Sequence, residues 1–288
     1  MPIRNILAPM PYAGAGETAL KAALGLAKIF NSHVDAFHVG MDPNAPIPYV
    51  AGPMPTELLV QISENAEEHA RKLAASVRAV FDKACEDGGI KVTDKAEGGA
   101  TSASWSEDVG SFDYRYGLEG RLHDISVVAQ PDPDDRENTT DILEGLLFHS
   151  ARPVLLVPAT GLGNICGKVV VAWNGSSEST RALWGAMPIL SKAGTVVILT
   201  VGDTEDLDGP DGRALADSLT AQGIKADIVE TKSGGHSDGE AVLKAAEELE
   251  ADLLVMGAYS HSRLRELIWG GVTQEVIEGT NIPVLMNH

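Results

Sequence analysis

Short apolar runs rich in Val, Ile and Leu alternate along the chain with longer segments in which Ala and Leu recur at helical spacing. The runs end at Gly, Pro or Asn, the pattern of buried parallel strands in βαβ units. Strands are predicted near residues 3–10, 33–40, 89–96, 124–130 and 153–158, and again near 167–174, 195–202, 225–231, 252–257 and 282–287, with helices in the intervals. The fold class is therefore α/β: two doubly wound units, each with a five-stranded parallel sheet flanked by helices. A strand order of 3-2-1-4-5 would bring the loops after the first and fourth strands of a unit to the same switch point.

The two sets of runs repeat one plan. DISVVAQ (Asp124 to Gln130) followed by HSARPVLLVP (His149 to Pro158) is echoed by DLLVMGA (Asp252 to Ala258) followed by EGTNIPVLMN (Glu278 to Asn287). NILAPM (Asn5 to Met10) and VVVAWN (Val169 to Asn174) open the two halves alike, each before a helical stretch. The glycine-rich segment Ala159 to Lys168 lacks periodicity and reads as a linker, so domains are expected at 1–160 and 166–288. The first half also inserts a proline-rich loop, Asp42 to Pro55, and a long amphipathic stretch, Glu57 to Phe81, predicted as one helix. Its apolar face, Leu58, Leu59, Ile62, Ala66, Ala70, Leu73, Val77 and Val80, suits core packing or a partner-binding stripe.

Composition narrows the function classes. A hydrophobic content of 44% and a charged content of 22% over 288 residues describe an ordinary globular chain. With 22 Lys and Arg against 41 Asp and Glu, the net charge of −19 disfavours nucleic acid and anionic lipid as partners. Cys85 and Cys166 offer neither a disulfide framework nor a zinc motif, and a reducing cytoplasm is the expected location. The N-terminal apolar stretch is too short and too broken by proline for a signal peptide, and no run of about 18 apolar residues occurs.

The stretch with most chemistry is Met256 to Gly279, directly after a predicted buried strand. Gly257 permits a tight exit and close backbone approach by a ligand. Gly270 and Gly271 precede the helix-forming segment that begins with Val272 and Thr273. Unhindered amides at a helix N-terminus can cradle phosphate, and Thr273 could add a hydroxyl donor. Arg263 and Arg265 place guanidinium groups, and His261 a further donor, in the same loop of an otherwise acidic protein. Asn174, Gly175 and Ser176 follow the first strand of the second half, and in the predicted order they would face that loop. The same residues also serve structure: Ser176 or Ser177 fits a helix N-cap, and paired glycines serve helix entry.

Other chemistries lack a basis. Gly161, Gly163 and Gly167 mimic a dinucleotide fingerprint, but with the wrong spacing and ahead of a strand. No P-loop, nucleophile elbow or HExxH zinc motif occurs. His236 has no recognisable nucleophile partner, and Ser237 and Asp238 read as caps. The aromatics between Ser104 and Gly117 could shape a small pocket or serve as half-buried packing.

A first strand ending in a small polar loop, a GxxGx9G[ST]-like stretch from Gly257 to Thr273, and the closing strand Ile282 to Met286 together resemble the universal stress protein family, as two consecutive copies. That resemblance implies ATP, possible with magnesium, bound by the strand-one turn, the backbone after strand two at Val201, and the glycine loop. Asn174 stands at the usual aspartate, Ser260 replaces the second glycine, and Gly271 replaces the following Ser or Thr. In the first half Pro11 falls at the aspartate, Gln130 follows strand four, Thr140 and Asp141 replace the glycine pair, and Asp132, Asp134 and Asp135 add negative charge. A degenerate first-half site without nucleotide is expected.

The resemblance further implies a cytoplasmic stress-response sensor or adaptor without a catalytic residue, at most a slow ATPase. It also implies pairing through fifth strands, as a pseudo-dimer within the chain, with a homodimer left open. The alternative is a non-nucleotide ligand-binding or interaction module with a vestigial phosphate loop.

Overall fold

The computed structural model describes residues 2–40, 56–96, 98–131, 136–202, 207, 209–259 and 271–288. The predicted Asp42–Pro55 loop and Asp132, Asp134 and Asp135 lie outside them. The first half contains β1 (Asn5–Pro9), α1 (Ala13–Phe30), β2 (His33–Gly40), α2 (Thr56–Gly88), β3 (Lys91–Val92) and β4 (Ser102–Val109). It continues through α3 (Phe112–Gly120), β5 (Ile125–Ala129), α4 (Arg136–His149) and β6 (Val154–Val157). The second half runs β7 (Lys168–Ala172), α5 (Ser177–Leu190), β8 (Thr195–Val201), α6 (Gly212–Ala221) and β9 (Asp227–Thr231). It ends with α7 (Asp238–Glu248), β10 (Leu253–Gly257), α8 (Gly271–Gly279) and β11 (Val284–Asn287).

The strands form an 11-stranded sheet in the order β3-β4-β2-β1-β5-β6-β11-β10-β7-β8-β9. Each half thus winds 3-2-1-4-5 from its own strands, with β3 added at the outer edge of the first. The halves join where β6 and β11 pair antiparallel, Leu155 opposite Leu285. The other pairings among the described residues are parallel. Strands covered on both faces must be apolar on both, and two clusters follow, each running through both halves. One gathers Leu20, Val77, Leu183 and Leu215 from α1, α2, α5 and α6. The other gathers Tyr116, Leu143, Val242 and Val276 from α3, α4, α7 and α8.

The repeat also appears in single hydrogen bonds. Asp124 Oδ2 accepts from the backbone N–H of Arg4 (2.8 Å) and Asn5 (3.0 Å), tying the start of β5 to that of β1. Asp252 Oδ2 accepts from Lys168 N–H (2.7 Å) and ties β10 to β7 in the same way. A carboxylate that satisfies amides at a strand entry explains why an aspartate precedes the fourth strand in both halves.

One predicted strand is misplaced. Residues 89–96 yield only the two-residue β3, and the third strand of the winding is β4. β4 escapes an apolar-run search because its sequence, SASWSEDV, alternates instead. Ala103 is buried in the core with Trp105 packed against it, while Ser102 bonds His33 (2.8 Å) and Ser104 and Ser106 bond Asp35 on β2. The residues considered for a small pocket are thus partly strand. The long helix exists, but Val77, Phe81, Ala84 and Cys85 near its C-terminal end are the buried ones, whereas Ala66 is exposed. The linker residues Ile165 and Leu162 pack into the core, Leu162 within 3.1 Å of where a Gly25 side chain would begin.

Candidate functional site

The site is built from two strand exits in the second half. After β7 the exposed Asn174 turns its Oδ1 back to accept from Ser176 N–H (3.2 Å), an Asx turn. Gly175 has φ +76°, a conformation that L side chains rarely adopt, and a Cβ there would come within 2.7 Å of Gly209 N. The loops after β7 and before α6 therefore touch backbone to backbone. Trp173 reinforces this by donating its indole N–H to Pro210 O (2.7 Å). Val201, half-buried, ends β8 beside that junction.

Ser176 is the N-cap of α5: its hydroxyl accepts from Ser179 N–H (3.2 Å). Glu178 adds a carboxylate to the first turn, where the helix dipole favours it. Burial alone would raise its pKa, but the Ser177 hydroxyl, its own backbone N–H, Arg181 and His288 prevail and lower it. The α5 N-terminus is thus satisfied by its own residues.

Gly257 ends β10 against this first turn, where a Cβ would lie 2.5 Å from Ser179 N. The exits of the first and fourth strands accordingly meet, with α5 occupying the side on which Gly257 lacks a side chain. Beyond Ala258, Tyr259 takes φ +60° and donates its N–H to Thr273 Oγ1 (3.1 Å), so the buried Thr273 hydroxyl braces the end of β10. Gly271, exposed, begins α8 with nothing among the described residues within 4 Å of a would-be Cβ, and Val272 follows half-buried. The structure brings together Asn174, Gly175, Ser176 and Gly257, and separately joins Thr273 to the exit of β10. Ser260, His261, Arg263, Arg265 and Gly270 lie outside the described residues.

Glu178 stands in the first turn of α5, where the sequence places it, whereas sequence reasoning missed Gly209, Tyr259 and His288. The GPDG turn signal around Gly209 was legible. Tyr259, whose ring lies 4.9 Å from that of Phe148 in α4, depends on a contact between halves that no local pattern announces. Ser237 caps α7 in a capping box with Glu240 and also donates to Glu275 Oε2 of α8 (2.7 Å). His236 stands exposed 3.5 Å from Glu240.

The first-half counterpart is closed differently. Met10 and Pro11 are buried, and Met10 packs against Gly16 of α1. Tyr12, the α1 N-cap, contributes no side-chain cap; its phenol instead bonds Thr139 of α4 across the switch point (2.8 Å). Gln130, the residue after β5, donates to Ile277 O (2.8 Å) near the C-terminus of α8. Thr140 and Asp141 fall inside α4.

A doubly wound α/β sheet whose first and fourth strand exits converge at a switch point defines a protein class that binds ligands at that edge. Residues 166–288 match the model of the universal stress protein family. A universal stress protein of Synechocystis sp. is 35% identical over 150 residues, covering 50% of this chain and 49% of that protein, so the chain spans about half of that relative's length. Two solved structures share the fold. A universal stress protein from Archaeoglobus fulgidus is 18% identical with TM-score 0.64, covering 98% of this chain and 97% of that one. One from Pseudomonas aeruginosa, described as a putative universal stress protein, is 17% identical with TM-score 0.56, covering 99% and 93%. The family match by sequence lies in residues 166–288, and over both halves the chain shares the fold of these solved structures. Among the described residues no helix is long and apolar enough to cross a membrane.

Proposed function

We propose that the second half, taken as a domain from residue 166, binds an adenine nucleotide, ATP foremost, and that the protein acts as a cytoplasmic stress sensor or adaptor. The observation that carries this reading is the packing of Gly257, at the end of β10, against Glu178 and Ser179 in the first turn of α5, the helix that the Asn174–Ser176 turn leads into. The two helix entries at this edge have different roles. The α5 N-terminus already holds Ser176 and Glu178, whereas α8 opens with the exposed Gly271, whose would-be Cβ meets nothing among the described residues. An anion is therefore favoured at α8, with the nucleoside toward Asn174, Gly175 and Val201. With Thr273 Oγ1 accepting from Tyr259 N–H, its hydroxyl proton remains available to a phosphate oxygen. Magnesium, if carried in with ATP, would be held mainly by the phosphates.

In the first half the Tyr12–Thr139 bond spans the equivalent crevice, which supports the absence of nucleotide there. Isothermal titration with ATP, ADP and AMP tests the reading: one site per chain is expected. No heat from any nucleotide, with circular dichroism showing folded protein, rejects it and leaves a non-nucleotide ligand or interaction module. Phosphate release no faster than that of a Gly270→Glu control would exclude even slow hydrolysis.

A further inference from the structure

A second group of chemistry-bearing side chains lies in the first half, on the sheet face covered by α3 and away from the strand exits discussed above. Asp35 of β2, Glu119 in the last turn of α3 and His123 in the turn that follows each offer one ligand atom, and these atoms lie within 4.8 Å of one another. His123 is 2% exposed. Its Nδ1 is 2.9 Å from Glu119 O, and because a carbonyl can only accept, Nδ1 carries the proton. In the neutral ring Nε2 is then a bare lone pair. It is buried, has no hydrogen-bond partner among the described residues, and stands 3.7 Å from Asp35 Oδ2.

Asp35 is oriented just as firmly. Its Oδ1 accepts from Ser106 (3.0 Å) and Ser104 (3.3 Å) of β4, which turns Oδ2 toward His123. Two electron-rich atoms thus face each other in a buried place at a separation too long for a hydrogen bond. Glu119 brings a further carboxylate, and Asp108 adds negative charge nearby, its own partner being Arg115 (3.1 Å). The neighbouring His33 is occupied by Ser102 and Ser104 (2.8 Å each). A proton on Nε2 would relieve the pair alone; a divalent cation would satisfy the imidazole and both carboxylates together.

We propose that Asp35, Glu119 and His123 form a site for a borderline divalent metal of the zinc or cobalt type. Ligand atoms sharing such an ion stand roughly 3–4 Å apart, so the His123–Asp35 pair is already at that separation and Glu119 needs only a small rotation. Imidazole with two carboxylates suits these ions better than magnesium or calcium, which take oxygen ligands. The outer partners have the usual form of metal sites: Nδ1–H held by a carbonyl, and the carboxylate held by hydroxyls. Bound there, the ion pins the end of α3 to β2. The site is independent of the nucleotide reading, which concerns the other half.

The test uses the full chain stripped with chelator and free of nucleotide, titrated with cobalt(II) while visible absorption is followed. One ion per chain is expected, with d–d bands, displacement by zinc, and a zinc-dependent rise in the unfolding midpoint. His123→Gln and Glu119→Gln should each weaken binding by about tenfold or more, whereas His236→Gln, an exposed histidine of the other half, should leave it unchanged. No uptake by the wild type overturns the proposal. So does unchanged affinity in His123→Gln or, if that variant fails to fold, in the half-exposed Glu119→Gln.

Discussion

At the end of β5 the chain leaves the sheet through Ala129 and Gln130; at the matching point of β10 it leaves through Gly257 and Ala258. The registers agree because Asp124 and Asp252 stand at the same place before the two strands. In the first half Gln130 reaches across to cap α8, and Tyr12 bridges to Thr139. In the second half a glycine lets α5 press against the strand end, and the strand-one turn closes on itself through Asn174. One winding plan therefore supports an edge bridged by side chains and an edge made of backbone turns, and the difference lies in a few residues at the strand exits.

Changes at these matched positions can break or sharpen that contrast. Gly257→Val should have the largest effect: its Cβ falls 2.5 Å from Ser179 N, and overpacking of this kind costs about 1–3 kcal/mol in denaturant unfolding. Ala129→Gly, the reciprocal change, should cost at most about 1 kcal/mol, since glycine only loosens the strand. Equal penalties at the two positions would show that the exits do not differ in packing. Asp124→Ala and Asp252→Ala should each cost about 1–3 kcal/mol by stranding strand-entry amides. Similar losses for the two are expected if the device is shared.

Ser176→Ala should remove about 1 kcal/mol of cap from α5, whereas Tyr12→Ala should barely change the helicity of α1, whose N-cap side chain makes no such bond. Smallest in energy is a chemical contrast between the two cysteines. Burial, with the Asp82 charge adding to it, pushes the Cys85 thiol up to about 11, and Cys166, half-buried, is raised by burial as well. At neutral pH both should alkylate slowly in the folded protein, Cys166 first, because the thiolate is the reacting form and Cys85 is the less accessible. Mass spectrometry of a partly labelled sample gives the order.

Much of the candidate site was legible. Asn174, Ser176 and Gly257 could be singled out because turn formers after apolar strands mark exits, and the strand order then brings exits together. A cap at Ser176 or Ser177, and one at Ser237 or Asp238, followed from local chemistry; the structure selects Ser176 and Ser237. The metal cluster was not legible. Asp35, Glu119 and His123 come from a strand, a helix end and a turn, and as single residues none stands out in the sequence.

By itself the sequence determined the α/β class, the two-part plan and the strands whose residues are apolar on both faces, because burial on both faces leaves no other composition. It missed β4, which presents serines to one side and whose period of two is short and polar. Tertiary structure alone decided that β6 and β11 join the halves into one sheet, that Tyr12 reaches Thr139, and that the His123 imidazole is buried against Asp35. Those contacts pair residues far apart in the chain. Local periodicity records which face a residue turns inward, not which distant residue it meets there.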